Sequence, residues 1–253
     1  MEAMIVITTT ATRRPEILRK TLESFYYHLF GDLQDTQAGL ILNIDPVGPG
    51  LAEDVIRIAR RYFSVIAIRH PMRPSFSEAF KWTWDMARRH KEASYVFNLE
   101  DDWKLLYPVD IKNMIEILES EPELALLRLP AFPAGADNMK NWNLFFPWNG
   151  RFYECPENLK ITAGFCGHPS LIKMDFVRAV APLLDGKRNP EKQFHRGGPP
   201  ELLKEVARWR YGVYARPGDP PAISDIGRKW MTRNNLSKAG SKAYFTHWEE
   251  VDA

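Results

Sequence analysis

An α/β fold is predicted for this 253-residue chain, with a mostly parallel sheet flanked by helices and an irregular C-terminal part. Three features carry the prediction. Strand-length apolar runs alternate with segments of helical period up to residue 102, the pattern of a parallel sheet wound with helices. Those runs are continuously apolar, as strands covered on both faces must be. After residue 130 the alternation gives way to stretches rich in Pro, Gly, Asn and aromatic residues.

Met4 to Thr9 reads as the first strand, and Pro15 opens the first helix, where its missing donor does no harm. Ile17, Leu18, Leu22, Phe25 and Leu29 form that helix's apolar stripe. Leu40 to Asp45 is a second strand, broken by Pro46, Gly48, Pro49 and Gly50. A helix over 51–62 carries Val55, Ile58 and Tyr62 inward, and Val65 to Ile68 is the third strand. Ser75 and Glu78 match a capping box, so a long helix starts there and runs to about His90. Tyr95 to Leu99 is the fourth strand. A helix at 109–119 and a strand from Leu124 to Leu129 extend the sheet, with right-handed crossovers. Residues 131–170 read as loops or a short antiparallel piece. Helices at 175–184 and 200–209, a strand from Gly212 to Ala215, and loops with short helical pieces complete the chain.

Composition is that of an ordinary globular protein, with 45% apolar and 26% charged residues. The size suits one domain over 1–253, in which 1–130 and 131–253 form two functional halves. With no apolar stretch of membrane-spanning length and no secretory leader in the N-terminal residues, the expectation is no membrane span and a cytoplasmic location, the host's cytoplasm if the source is viral. Cys155 and Cys166 make neither a disulfide framework nor a zinc site. Charge is uneven: residues 187–242 hold thirteen Lys or Arg against five acids, a local +8 in a chain of net +2. Such asymmetry suits an anionic partner, although solvated basic faces are common.

The fourth strand stops in three acids, Glu100, Asp101 and Asp102. That puts negative charge at the carboxyl edge of the sheet, where open α/β folds bind their ligands. Hard oxygen donors there suit Mn²⁺ or Mg²⁺, ions that keep waters and take further ligands from substrate phosphates. An Asp at such a place is also a common helix N-cap, and acidic loops are commonly just solvated.

Taken in order, Thr8-Thr9-Thr10-Ala11-Thr12-Arg13-Arg14-Pro15-Glu16-Ile17-Leu18, the strand ending in Asp45, and Glu100-Asp101-Asp102 resemble the GT-A glycosyltransferases. The likeness covers residues 4–130 well and the rest loosely. It implies an N-terminal half that binds a nucleotide-diphosphate sugar, and a divalent cation held against the diphosphate by an Asp-x-Asp motif, here in the form Glu-Asp-Asp. By the same resemblance Asp102 coordinates the metal, while Glu100 and Asp101 face the nucleotide ribose or base. Asp45 contacts the base or ribose, unless it is only a turn residue before Pro46. Thr8, Thr9 and Arg13 are placed at the end of the first strand, to hold base and phosphate, although Arg13 and Arg14 also read as surface charges at the helix start. Arg69 and Lys81 are weaker phosphate candidates, and Lys81 reads as solvent-facing.

An inverting transfer needs a carboxylate to take the acceptor's proton. Glu201 is the candidate, in the first turn of a helix behind a flexible Gly197-Gly198 turn, a place where Glu is also favoured by the helix dipole alone. Asp225 is the second, as base or extra metal ligand, and Asp175 reads as an N-cap. His247 lies where some family members place a metal-binding His. Gly164 to Ser170 resembles the segment lining the sugar and acceptor pocket, and Trp103, Trp142 and Trp148 are candidates for stacking on sugar or base. The basic C-terminal quarter suits a polyanionic acceptor, and a chain of this kind resembles phage enzymes that glycosylate hydroxymethylated bases in DNA. Two alternatives stand beside this. A nucleotidyltransferase acting on a sugar phosphate would ordinarily show a Gly-rich phosphate loop, and Thr8 to Pro15 contains no Gly. A non-catalytic carbohydrate or nucleic-acid binding module would need no metal.

Overall fold

The computed structural model describes residues 4–31, 33, 38–132 and 146–234, with the backbone of 236–239 and 247–250. Trp142 and Lys242 lie outside the described residues, as do the side chains of Lys238 and His247.

The first half follows the predicted alternation: β1 (Met4–Thr12), α1 (Pro15–Phe25), β2 (Ala38–Asp45), α2 (Ala52–Tyr62), β3 (Ser64–Arg69), α3 (Phe76–Ala87) and β4 (Ala93–Glu100). Then come β5 (Trp103–Leu105), α4 (Ile111–Ser120), β6 (Leu124–Arg128), β7 (Tyr153–Glu154), β8 (Ser170–Lys173) and α5 (Met174–Val180). The chain continues through α6 (Pro200–Ala207), β9 (Arg210–Val213), β10 (Ile223–Asp225), α7 (Gly227–Arg233), β11 (Leu236–Ala239) and β12 (His247–Glu250). Pro15 does open α1, and Ser75 caps α3 by accepting from the Glu78 amide. Asp175 falls inside the first turn of α5, whose N-cap is Lys173.

Eight strands form one sheet in the order β3-β2-β1-β4-β8-β6-β9-β7. Pairing is parallel from β3 to β4 and between β6 and β9, and antiparallel where β8 lies between β4 and β6 and where β7 joins β9. The mixed sheet is the expected mostly parallel one. Its faces follow from the strict alternation of side chains along each strand. Ile5, Ile7, Leu40, Leu42, Phe97 and Leu99 pack with Leu18, Leu22, Val55 and Met114 of α1, α2 and α4. On the opposite face Val6, Ile41 and Val96 pack with Trp84, Phe176 and Leu202 of α3, α5 and α6. Short strands without a period of their own escaped the sequence. β5 pairs antiparallel with β10, so the region after residue 220 carries a strand and a helix as well as loops.

One boundary changes the reading of the site. β1 runs on to Thr12, in register with Asp45 on β2, so Thr8 and Thr9 lie mid-strand and not at its end. Thr8 is buried and donates to Asn98 Oδ1, which also accepts from Trp84 Nε1. Thr9 is fully buried beside Leu42 and Leu99. Threonine is a good strand former, so four threonines in the five positions 8–12 carry the strand past the point where polarity alone would end it.

Candidate active site

At the carboxyl edge of the sheet Thr12 faces Asp45, and Thr10 lies between Asn43 and Glu100. The three acids following Leu99 are held in three different ways. Glu100 ends β4, and its Oε1 crowds Gly167, where a Cβ would lie at 2.8 Å. Asp101 turns inward instead of facing a ligand. Its Oδ2 accepts from the Thr12 amide and hydroxyl at 2.9 and 3.2 Å, and its Oδ1 pairs with Arg14 at 2.5 Å. Asp102 stands at the rim with a side chain 11% exposed, 3.2 Å from Arg14.

Arg14 is therefore no surface charge. Its side chain is 2% exposed, its Nε donates to Thr12 Oγ1 at 2.6 Å, and its guanidinium lies 5.2 Å from the centre of the Trp230 ring. Burial works against the Arg14 charge, but Asp101 and Asp102 outweigh it and raise its pKa. One planar fork thus fixes the acidic turn to the end of β1. A second clamp comes from the far end of the chain. Ile226 donates its amide to the Asp102 carbonyl at 2.8 Å, and Gly227 packs so closely that any Cβ there would collide with the Asp102 carboxylate. Asp225 registers with Trp103, which brings it beside the acidic turn. Its carboxylate is taken up locally, by the Gly227 and Arg228 amides and by Arg228 Nε at 2.9 Å, at the start of α7.

Asp45 lies on the α3 side of the edge, buried, accepting from Asn43 Nδ2 at 2.9 Å and from the Ser75 amide at 3.0 Å. Burial raises its pKa, against the opposing pull of Asn43, Ser75 and Arg69. Arg13 follows β1, with its backbone locked between Val47 and Gly50. Buried Arg13 Nε, Asn43 Oδ1 and Ser77 Oγ have no hydrogen-bond partner among the described residues, so the edge retains polar capacity that a ligand or water would complete. Arg69 ends β3 and pairs with Glu78 at 3.3 Å. Lys81 pairs with Asp85 at 2.8 Å and is only half exposed to solvent, not free of the fold.

In the second half the structure picks out an acid that the sequence did not. Glu191 Oε1 accepts from the Gly167 amide at 3.3 Å, so Glu191 and Glu100 approach the same glycine. Glu201, by contrast, is exposed in the first turn of α6. No local signal marks Glu191, which sits in an aperiodic Asn-Pro-Glu-Lys loop. The nearest hint is the neighbouring Gly164 to Ser170 segment. Trp103 packs edge-on against His168 at 5.0 Å, and Trp148 packs against Tyr153. A cavity of about 300 Å³ opens elsewhere, at the start of β2 and β3, lined by Tyr26, Phe30, Arg60 and Arg61. Among the described residues no carboxylate lines it, and it lies at the opposite edge from the acids.

The basic C-terminal quarter is partly neutralised, since Arg188, Arg208, Arg210 and Arg228 pair with Asp185, Glu205, Glu154 and Asp225. Lys187, Lys192 and Arg196 remain exposed around Glu191, and Lys229 and Arg233 on the helix that Gly227 begins. Among the described residues no helix is long and apolar enough to cross a membrane.

No protein-family model and no curated protein sequence matches the chain. Solved structures share its fold. S. aureus TarS superposes with a TM-score of 0.58 at 8% identity, over 88% of this chain and 36% of that one. TarS 1-349 in complex with UDP-GlcNAc gives 0.56 at 9% identity, over 87% of this chain and 58% of that one. The mannosyltransferase PcManGT from Pyrobaculum calidifontis, in complex with GDP-Man and Mn²⁺, gives 0.53 at 12% identity, over 86% and 55%. The fold is thus GT-A-like, and this chain spans between about a third and three-fifths of the length of these structures.

Proposed function

We propose that the protein is a glycosyltransferase that moves a sugar from a nucleotide-diphosphate sugar to an acceptor hydroxyl with inversion. The observation that carries this is the acidic turn Glu100–Asp102, fixed at the carboxyl edge of a GT-A-like sheet, a fold shared with one structure in complex with UDP-GlcNAc and another in complex with GDP-Man and Mn²⁺. The 1–130 half is the donor side and 131–253 the acceptor side of one domain, working in the cytoplasm. Asp45, Thr10 and Glu100 line the edge for base, ribose and sugar, with Arg13 and Arg69 towards phosphate. Asp101 acts as the tie that positions the turn.

Asp102 is the oxygen donor for a divalent cation. Of the acids at this edge, Asp101 is taken up by Thr12 and Arg14 and Asp225 by the start of α7, so Asp102 is the acid of the turn kept for an ion. That fits Mn²⁺ or Mg²⁺, which take one or two carboxylates and complete their shell with water and substrate phosphates. When bound, the ion would neutralise charge on the leaving nucleoside diphosphate. The protein's own residues do the rest. Arg14 keeps the Asp102 carboxylate turned to the rim, and a carboxylate across the cleft removes the acceptor proton as its oxygen attacks the sugar carbon. We assign that base to Glu191, because it reaches the segment that touches Glu100, and keep Glu201 as its rival.

Incubation with a panel of nucleotide sugars and Mn²⁺ tests the proposal by release of nucleoside diphosphate. Asp102→Asn should lose at least a hundredfold in kcat, the scale of one removed charge-stabilising group. Glu191→Gln should lose about 10²–10⁴-fold with KM for the donor little changed, while Glu201→Gln keeps its rate. Reversal of the last two results would give the base back to Glu201. Full activity of Asp102→Asn would remove the site.

For the acceptor we propose an anionic polymer, with a hydroxymethylated base in DNA as the form the chemistry suits best. Lys187, Lys192 and Arg196 are exposed close to Glu191 in the chain, and Lys229 and Arg233 are exposed on α7, which starts against Asp102, and this exposed positive charge supports a polyanion.

A further inference from the structure

One cluster has no part in sugar transfer as described. Cys166 is half-buried at the entry to β8, and its Sγ lies 3.3 Å from a guanidinium nitrogen of Arg128, a residue only 1% exposed at the end of β6. The same nitrogen of Arg128 donates to the Ala163 and Gly164 carbonyls, so the cation is fixed where it stands. His168 lies against the thiol from the other side and packs on Trp103, and its buried Nδ1 has no hydrogen-bond partner among the described residues. The remaining charged groups nearby are Glu191 and His195, which hold the Gly167 amide and the Phe165 carbonyl, and Glu100 at Gly167.

We propose that Cys166 is a reactive thiolate, held by Arg128 and His168 one residue from the glycine that Glu100 and Glu191 approach, and a site of modification by peroxide and by alkylating electrophiles.

The electrostatics agree with the geometry. Burial pushes the Cys166 thiol up, but Arg128 and His168 outweigh burial and bring it down to about 7, while His168 is raised by its thiol partner. Cys155 provides an internal contrast, pushed up to about 12 by burial. A thiolate–imidazolium pair is the state such a cluster favours. With hydrogen peroxide, the sulfur attacks one oxygen and the O–O bond breaks. The second oxygen leaves as hydroxide and takes the His168 proton to become water, so the sulfur is oxidised to a sulfenic acid as the peroxide is reduced. Gly167, the next residue, meets both Glu100 and Glu191, so an added oxygen at Cys166 sits against the pocket. The consequence for activity rests on the transferase reading, whereas the chemistry of the thiol does not.

The test is labelling of the full-length folded protein with iodoacetamide between about pH 5 and 9, resolved by peptide mass spectrometry. Cys166 should label with an inflection near pH 7, and Cys155 should stay unlabelled until the protein unfolds. His168→Gln and Arg128→Met should each move the Cys166 inflection upward and slow labelling at neutral pH about tenfold, one pH unit being tenfold in thiolate when little is ionised. Arg128 is buried and its loss can prevent folding, so His168→Gln on its own decides that arm. One equivalent of hydrogen peroxide with dimedone should place the adduct on Cys166. Labelling of Cys166 no faster than that of a free thiol, an inflection unmoved in His168→Gln, or a dimedone adduct elsewhere would each overturn the proposal. None of these readouts requires a nucleotide sugar, so the outcome is independent of whether the protein transfers one.

Discussion

Arg14 shows how far the role of one side chain can lie from its sequence context. An Arg-Arg-Pro run at a helix start looks like surface charge, because nothing local shows that Asp101 and Asp102 fold against it from 87 residues away. Both carboxylates are buried, and Arg14 is the cation the structure places on them. Arg14→Met would leave them without that cation, and breaking a buried pair of this kind costs about 3–5 kcal/mol. Arg14→Lys keeps the charge but loses the planar fork that reaches Thr12, Asp101 and Asp102 together, so it should fall between the two. Urea unfolding of the three proteins measures this. A loss under about 0.5 kcal/mol in Arg14→Met, the size of an ordinary surface change, would mean that the turn is held instead by Thr12, by Gly227 and by Thr21, whose hydroxyl donates to the Asp101 carbonyl at 2.7 Å. The triplet was legible as the acidic end of β4, and only the family resemblance set Asp102 apart within it. Asp101 was not separable from it, since adjacent acids differ only once the fold shows which way each one turns.

Longer elements were readable because period and length reinforce each other. β1 to β4 and α1 to α3 stand where apolar runs and capping residues put them. The two- and three-residue strands β7, β5 and β10 contain less than one informative period, and only their partners define them. What secures β7 is charge. Arg210 at the start of β9 grips Glu154 of β7 through two nitrogens, at 2.5 and 2.7 Å, and reaches Glu121 after α4 at 2.9 Å. Hydrogen bonding to Arg210, against a smaller effect of burial, lowers the Glu154 pKa below its ordinary 4.5. A carboxylate depressed in the folded state stabilises it above the unfolded value and loses that contribution as pH falls through the folded one. Arg210→Met should therefore cost about 1–3 kcal/mol at neutral pH, the range for charge-assisted bonds. The difference from the parent should shrink as pH falls below the ordinary 4.5 and Glu154 takes up its proton in both proteins. Thermal unfolding across pH reads this directly. A gap that stays constant down to about pH 2 would show that Arg210 acts by packing its stem and not by its charge.

At the scale of the whole molecule, the first half was legible and the second was not, for one physical reason. Thr10 near the end of β1, Asp45 at the end of β2 and Glu100 at the end of β4 lie on neighbouring strands of one winding, so their meeting follows from topology. Glu191 and Gly167 reach the same edge from loops and Gly227 from the start of α7, and such contacts leave no periodic trace. The distribution of charge, however, does survive the passage from sequence to structure. Part of the +8 in residues 187–242 is spent within the fold, on Asp185, Glu205, Glu154 and Asp225, and Lys187, Lys192, Arg196, Lys229 and Arg233 stay exposed. If that remainder meets DNA, binding must release counterions in proportion to the phosphates engaged. With about three to five phosphates neutralised, the logarithm of the association constant should fall against the logarithm of salt concentration with a slope of about −3 to −5. Replacing Lys229 and Arg233 together by Gln should reduce the slope by about 2 while leaving the donor-dependent release of nucleoside diphosphate unchanged, since neither residue belongs to the donor edge. Titrations of hydroxymethylated and plain duplexes by fluorescence anisotropy, from about 50 to 200 mM salt, would measure both quantities. A flat slope, or no binding even at the low end, would exclude DNA and leave a neutral hydroxyl as the acceptor. A steep slope that the double substitution does not change would move the polyanion to the side of the cleft that carries Lys187, Lys192 and Arg196.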